Sequence, residues 1–485
     1  MNAKDGFLMS GSSDVNAAYQ VTDGEVDAFI AKNWDTFLDD AARLIAIDSS
    51  LDADHAAPGA PFGPGARAAL DEILDIAQRI GLKVDDGDGY AGYADLPGSS
   101  GQQLGVIGHV DVVPAGEGWT FPPFKLTRTE GALIGRGTAD DKVPLLSALY
   151  ALKFWIDKGV SLHHAVRFIF GCNEESGMAE IPYYLERHAA PDFLFTPDAD
   201  FPLCYGEKGL FGVLISHEVP EGAIERLEGG SSFNAVPASA RAVVRVRPDD
   251  LPQADRIVIS EHESGALVEA SGVSGHASLP GGTVNAIGVL AQYLVQSGIC
   301  APEERSWLER VASMAQTTDG SAFGVASSDP DFGALTSVVG VATHEGSRST
   351  VSVDIRFPTS ITGAQLERAF EAWAQEAGAE LEFVRNQEPF VVDPHTAPVQ
   401  ALLAAYQETT GRQAQPFTMG GATYAREFPH AVSFGPADDD VAPTPDWVGS
   451  MHGANEGVTE EAVKHAIRVY IRAFGNLAQV EQLSI

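Results

Sequence analysis

Five residues stand out by type and placement: His109, Asp140, Glu175, Asp198 and His452. Together they offer imidazole nitrogen and carboxylate oxygen without thiolate, a donor set that suits Zn²⁺, Mn²⁺ or Co²⁺. Five protein ligands exceed what one tetrahedral ion uses and suit two ions sharing a carboxylate. Ions ~3.5–4 Å apart can share a water, lower its pKa and clamp a tetrahedral intermediate. Singly, each residue has an ordinary explanation. Asp140 and Asp141 open a helix, where negative charge favours the macrodipole. Glu174-Glu175 before Ser-Gly, and Asp198 and Asp200 around a proline-rich bend, are common turn chemistry. Their joint placement at successive strand ends, each after a strongly apolar run, argues for chemistry instead. His109 and Asp111 are separated by one residue, so on an extended strand they point the same way. The Asp111 carboxylate can then orient a ligating imidazole. The adjacent Glu174 and Glu175 allow one to bind metal while the other serves as general base. Spacing alone leaves open which does which.

The elements that position these residues follow from periodicity. Residues 23–47 repeat apolar positions at helical spacing, and a second helix ends at Gly81. QLGVIGHVDVVP, AVRFIFGCNEESG and DFLFTPDADFP read as buried strands whose C-terminal ends carry the polar residues just named. ADDKVPLLSALYALKFWIDKGV reads as a helix between the first two. Alternating strands and helices imply an α/β sheet, which binds ligands beyond the carboxyl ends of its strands. From residue 207 to 390 the character changes. GVLISHEV, SARAVVRVRP and STVSVDIRFP alternate as antiparallel strands do, with helices at NAIGVLAQYLVQ and EERSWLERVASMA. This reads as an inserted α+β domain. The expected organisation is a flexible N-terminus over 1–22, a catalytic domain from 23–206 and 391–485, and the insert from 207–390.

The chain of 485 residues has room for about three domains, or two larger ones. Its 67 acidic against 31 basic residues give a net charge of -36, which opposes binding to nucleic acid or to an anionic membrane surface. Cys172, Cys204 and Cys300 form no CxxC spacing and imply neither a disulfide framework nor a thiolate metal site. No apolar signal core and no membrane-spanning run is visible, so a cytoplasmic protein is expected.

GHVDVVPAGEGW, GRGTADDK, NEESG, TPDADFP and MHGANE, in this order, resemble the metal-site blocks of the dinuclear metallopeptidases that include carboxypeptidase G, aminoacylase and succinyl-diaminopimelate desuccinylase. The resemblance runs from about Asp23 to the C-terminus. It implies an α/β fold, a mixed-sheet aminopeptidase-like catalytic domain with an inserted α+β lid. It implies two divalent ions per chain, zinc first, with manganese or cobalt possible. His109 and Asp198 would hold one ion, Glu175 and His452 the other, and Asp140 would bridge them. Asp111 would brace His109, Glu174 would be the general base, and the Asp140-Asp141 peptide would be cis.

PDADFP, GEKG, GGSSFNAVP, SGHASLPGGTVNAI, DIRFP and GGATYAR are similar to the peptidase V and Xaa-His dipeptidase branch. That likeness implies a metal-activated water hydrolysing unblocked dipeptides. His276 would stabilise the oxyanion, Arg356 would pair with the substrate carboxylate, and Asn234 would help fix the substrate. The turn through Gly421 and Thr423, assigned to the catalytic domain, would offer backbone donors. The long insert favours a monomer over a dimer. The alternatives are an N-acyl-amino-acid deacylase or carboxypeptidase of the same family, distinguished by independence of a free amine, and a silent binding protein, whose mark would be a lost ligand or a lost Glu174; none is lost. One departure is Val143, where the family pattern has glycine. A β-branched residue there could crowd a close helix–strand contact, but every proposed ligand is present and activity is expected to survive.

Overall fold

The computed structural model describes residues 19–485, which form two compact units. The first comprises residues up to 205, 392–417 and 423–485; the second comprises 206–391 and 418–422. The short segment 418–422 therefore groups with the second unit, although the sequence reading assigned it to the first. The expected flexible N-terminus falls mainly outside the described residues. Its last four residues are ordered. Tyr19 is buried edge-on to Trp155 and donates its hydroxyl to the Ser161 carbonyl, and Thr22 caps the following helix in a reciprocal capping box with Glu25.

In the first unit, strands that are apolar on both faces pair in parallel, as burial on both sides requires. Gln103–His109 lies between Ala165–Gly171 and Phe193–Thr196, parallel to each, and Ala431–Ser433 continues the parallel block beside Phe193–Thr196. Ala91–Leu96 and Lys83–Asp85 extend the other side antiparallel, which makes the sheet mixed. Cys204–Glu207, where the chain leaves the unit, pairs antiparallel with Ala431–Ser433. Helix Lys142–Lys158 packs on Gln103–His109 and against helices Asp23–Ile45 and Glu460–Leu477. Fully buried Trp155 locks two of these helices together by donating to the Ile471 carbonyl at 2.9 Å. Helix Pro64–Ile80 ends on Gly81 in the left-handed conformation, the stop read from the sequence.

The second unit is built on an eight-stranded antiparallel sheet. Its order is Ile257–His262, Gly265–Ser271, Ser239–Val244, Ile224–Gly229, Thr336–Glu345, Arg348–Phe357, Gly209–Glu218 and Glu380–Gln387. Helices Ala286–Ser297, Pro302–Gln316 and Gly363–Ala377 contribute Ile287, Leu290, Trp307 and Phe370 to one core with that sheet. The α+β reading of the insert and the mixed α/β reading of the rest both hold.

The tight helix–strand approach in the first unit is made at Gly108. A Cβ there would lie 2.3 Å from Asp141 Oδ2 and 2.9 Å from Leu145 Cδ1. Val143 is buried within the first turn, and Pro144 beside it sits where a missing N–H costs no helical hydrogen bond. Gly108→Ala should therefore push the helix that follows Asp140 away from the strand that ends at His109. We expect a loss of ~1–3 kcal/mol in stability, read as a lower thermal midpoint.

Candidate metal centre

All five proposed ligands and both glutamates come from the first unit. His109 is the last residue of its strand, level with Gly171 on the neighbouring strand. Glu174 and Glu175 follow Gly171 in a short 3₁₀ turn, and Asp198 lies two residues beyond Thr196. The parallel register thus delivers these residues to one edge of the sheet. Asp140 precedes helix Lys142–Lys158, and the Asp140-Asp141 peptide is cis. His452 adopts a left-handed backbone conformation, with φ of 63°.

His109 Nε2 is 2.9 Å from Asp140 Oδ1 and 3.9 Å from Asp198 Oδ2. His452 Nε2 is 2.9 Å from Asp140 Oδ2 and 3.2 Å from Glu175 Oε2. Each oxygen of Asp140 thus faces a different imidazole, the arrangement a bridging carboxylate needs. Zn²⁺ bound at ~2.0–2.2 Å spaces tetrahedral donor atoms about 3.3 Å apart, within the range of these contacts. Donor atoms of His109, Asp140 and Glu175 all lie within 4.8 Å of one another. His109 Nδ1 lies 3.0 Å from the Asp111 backbone carbonyl, so it carries the proton there and Nε2 is the atom that would ligate. The residues fit a pair of divalent ions.

Electrostatics point the same way. Burial disfavours a charged His109, but the Asp111 and Asp140 carboxylates outweigh it and hold the imidazole well above its ordinary range. Hydrogen bonds from Asp140 and then Glu175 raise His452 to about 10 against the opposing effect of burial. Burial also opposes charge on Asp140, yet the two imidazoles hold that carboxyl below the usual range. The cluster demands positive charge between its carboxylates, which metal ions supply on displacing those protons. Glu174 is pushed well above the ordinary carboxyl range by burial, with Asp198, Glu175 and Asp140 adding to the shift and His109 opposing it.

Several residues without a role in the sequence reading hold this geometry. The Asp111 carboxylate lies 3.4 Å from His109 Nδ1, farther than the Asp111 backbone carbonyl, and its two oxygens accept the backbone N–H groups of Glu174 and Glu175, each at 3.2 Å. Glu456 accepts from the backbone nitrogens of Gly137 and Ala139, at 2.9 and 3.0 Å, beside Asp140. It also pairs with fully buried Arg136, which reaches the His452 carbonyl at 3.2 Å. One ion pair thereby ties two ligand-bearing loops together. Lys142 donates to the carbonyls of Leu44 and Ile47, closing the end of helix Asp23–Ile45, and burial lowers it to about 7. Buried Glu180 accepts from the Asn173 backbone at 3.1 Å and from the Tyr424 hydroxyl. Arg136, Lys142 and Glu456 all lie inside the matched sequence blocks as charged residues with no assigned task, and that was the available signal.

The other predicted contacts divide between the units. Asn234, His276, Arg356 and Gly421 belong to the second. There the Ala277 backbone N–H donates to the Asn234 carbonyl at 2.9 Å, so Asn234 and His276 sit on adjoining segments. Arg356 is buried, not a loose surface cation. Its Nε and Nη2 hold Asp354 at 2.7 and 3.2 Å, and Nη1 donates to the Gly420 carbonyl at 3.0 Å. Three of its five N–H groups are thus engaged in orienting it. Thr423 belongs to the first unit. Its buried hydroxyl caps the turn Tyr424–Glu427 and meets Ser433, and its carbonyl accepts from the Arg426 backbone N–H at 3.4 Å.

Residues 105–476 match peptidase family M20/M25/M40, and the chain belongs to that family. It is a hydrolytic enzyme, a metallopeptidase, in a metal-dependent and generally dinuclear family. Among its relatives is a Staphylococcus aureus (strain USA300) protein named as a putative dipeptidase, 32% identical over 469 residues, 92% of this chain and 98% of that protein. The fold is similar to that of human carnosine dipeptidase 1, with a TM-score of 0.60 at 15% identity over 94% of this chain and 99% of that one. It is also similar to the dipeptidase Dug1p from Saccharomyces cerevisiae, with a TM-score of 0.59 at 14% identity over 95% and 99%. At those identities the two structures speak for the fold alone. Among the described residues, no helix is long and apolar enough to cross a membrane.

Two predictions follow from the supports. Glu456→Gln keeps the backbone contacts but removes the charge facing Arg136. Metal affinity should fall by ~10–100-fold, measured by titration calorimetry with Zn²⁺. Burial raises Glu180 from 4.5 to about 7, so between those values the native state holds a proton that the unfolded chain releases. Stability from this group is therefore lost as pH rises through that window, by about 3 kcal/mol in all. The difference in thermal midpoint, Glu180→Gln minus wild type, should grow between about pH 5 and about pH 8.

Proposed function

We propose that this enzyme is a dipeptidase that hydrolyses unblocked dipeptides, with zinc as the first-choice metal and manganese or cobalt as alternatives. The reading further takes it as a cytoplasmic monomer. The observation that carries the chemistry is the pairing of each Asp140 oxygen with a different imidazole, beside a glutamate whose proton affinity is raised. The dipeptidase name of the Staphylococcus aureus relative supports the choice of substrate.

Bound divalent ions would polarise the scissile carbonyl and acidify the attacking water. Glu174 takes the proton from that water as it attacks and returns it to the leaving amine. The Asp111 carboxylate holds the backbone of Glu174 and so limits where its side chain can reach. Arg356, pre-oriented by Asp354, reads the C-terminal carboxylate of the substrate, to which a planar guanidinium is matched. His276 donates a hydrogen bond to the carbonyl oxygen as negative charge develops. Asn234 and the backbone of the Gly421–Thr423 turn fix the rest of the substrate.

The test is hydrolysis of one dipeptide, free and N-acetylated, by metal-depleted protein titrated with Zn²⁺ or Mn²⁺. Only the free dipeptide should be cleaved, with activity restored at about two ions per chain. Glu174→Ala should bind the same ions and lose activity by ~10²–10⁴-fold. Cleavage of only the acetylated substrate would move the enzyme to the deacylases of the family. Cleavage of neither, with metal bound, would mean a silent binding protein.

A further inference from the structure

Two contacts to one atom fix the chemical form of His276. Its Nδ1 lies 2.6 Å from Ser278 Oγ and 3.2 Å from the Ser278 backbone nitrogen. A backbone amide has a proton to donate and nothing with which to accept, so at 3.2 Å it favours a lone pair on Nδ1, and the closer hydroxyl at 2.6 Å is the stronger of the two contacts. The Ser278 hydroxyl, facing that lone pair, donates to it as well. In the neutral ring the single proton is then on Nε2.

The segment carrying this arrangement is held from several directions, all within the second unit. Gly275–His276 pairs with Ala235–Val236, with His276 level with Ala235. Ala277 donates to the Asn234 carbonyl, and Leu279 donates to the His276 carbonyl at 3.0 Å. Ser278 is backed by Gly420, where a Cβ would come within 2.6 Å of the serine Cβ. The Gly420 carbonyl accepts from Arg356. The serine thus lies at the junction of the His276 turn and the Arg356 clamp, and the lack of a side chain at Gly420 lets it sit there.

We propose that Ser278 is a positioning residue for hydrolysis: it holds His276 as the Nε2–H tautomer, so that the ring offers a hydrogen-bond donor to the substrate carbonyl oxygen. The inference rests on the role proposed for His276. An Nδ1–H tautomer would turn a lone pair toward a growing negative charge and repel it. The interaction is made in the transition state, so its loss falls on kcat and leaves KM unchanged. One weakened hydrogen bond amounts to a loss of roughly three- to ten-fold.

The experiment uses zinc-loaded protein labelled with ¹⁵N at histidine, with His276 assigned by the signals missing from His276→Ala. At a pH where the ring is neutral, wild type should show a pyridine-like Nδ1 and a pyrrole-like Nε2. Ser278→Ala should shift both signals toward a tautomer mixture and lower kcat for a dipeptide three- to ten-fold at constant KM. Ser278→Thr, which keeps the hydroxyl, should restore the signals and kcat together. A wild-type proton on Nδ1 would overturn the proposal, as would Ser278→Ala with unchanged ¹⁵N signals and unchanged kcat. Wild-type kcat in His276→Ala would overturn it at its base, in the role of His276, and the spectrum would locate the failure there rather than at Ser278.

Discussion

Carboxylates repel, and the first unit places Asp111, Asp140, Glu174, Glu175 and Asp198 at one edge of a sheet. The cost of such crowding in a partly dehydrated pocket is met only by cations, whether imidazolium, guanidinium or metal. Much of the unit can be understood as the means of keeping that cluster together. Parallel strands bring His109, the Glu174–Glu175 turn and Asp198 level with one another. Backbone N–H groups of the turn neutralise Asp111. Arg136 and Glu456 cancel each other in the interior while fixing the two loops that bear Asp140 and His452.

Among the proposed ligands, His109, Glu175 and Asp198 follow a local signal, an apolar strand that ends in polar residues, whereas Asp140 and His452 carry no such run before them. The stop of helix Pro64–Ile80 at Gly81 was legible for the same reason: the information lies within a few neighbouring positions. The Arg136–Glu456 pair joins residues 320 positions apart, and no periodicity reports such a partnership. The engagement of Glu180 with Tyr424 is equally non-local. Gly171 gave a hint that required coordinates to read, since a Cβ there would collide with the Tyr424 hydroxyl. The order of Tyr19 and Thr22 was missed because small and polar residues suggest a loose end, whereas a ring contact with Trp155 and a capping box tie them down.

The residues assigned to substrate recognition share a different logic. None of them is poised by its own sequence neighbours alone. Arg356 depends on Asp354 and on a carbonyl from a distant turn, and His276 depends on Ser278, itself seated on that same turn. The proposed charge reading and oxyanion donation would therefore draw on one small framework. Disturbing it at Gly420 would reach both functions without touching either side chain.

The affiliation of residues 418–422 with the second unit changes how the chain can be dissected. These five residues supply partners that the insert cannot provide for itself: the Met419 carbonyl for the Lys208 backbone, the Gly420 carbonyl for Arg356, and the Thr418 hydroxyl for the Asp331 carbonyl. The polypeptide passes between the units four times, after residues 205, 391, 417 and 422, not twice as a simple insertion would. A fragment cut at 206 and 391 would be missing those hydrogen-bond partners. Exchange of this unit between relatives, by recombination or by design, requires two separate segments to travel together.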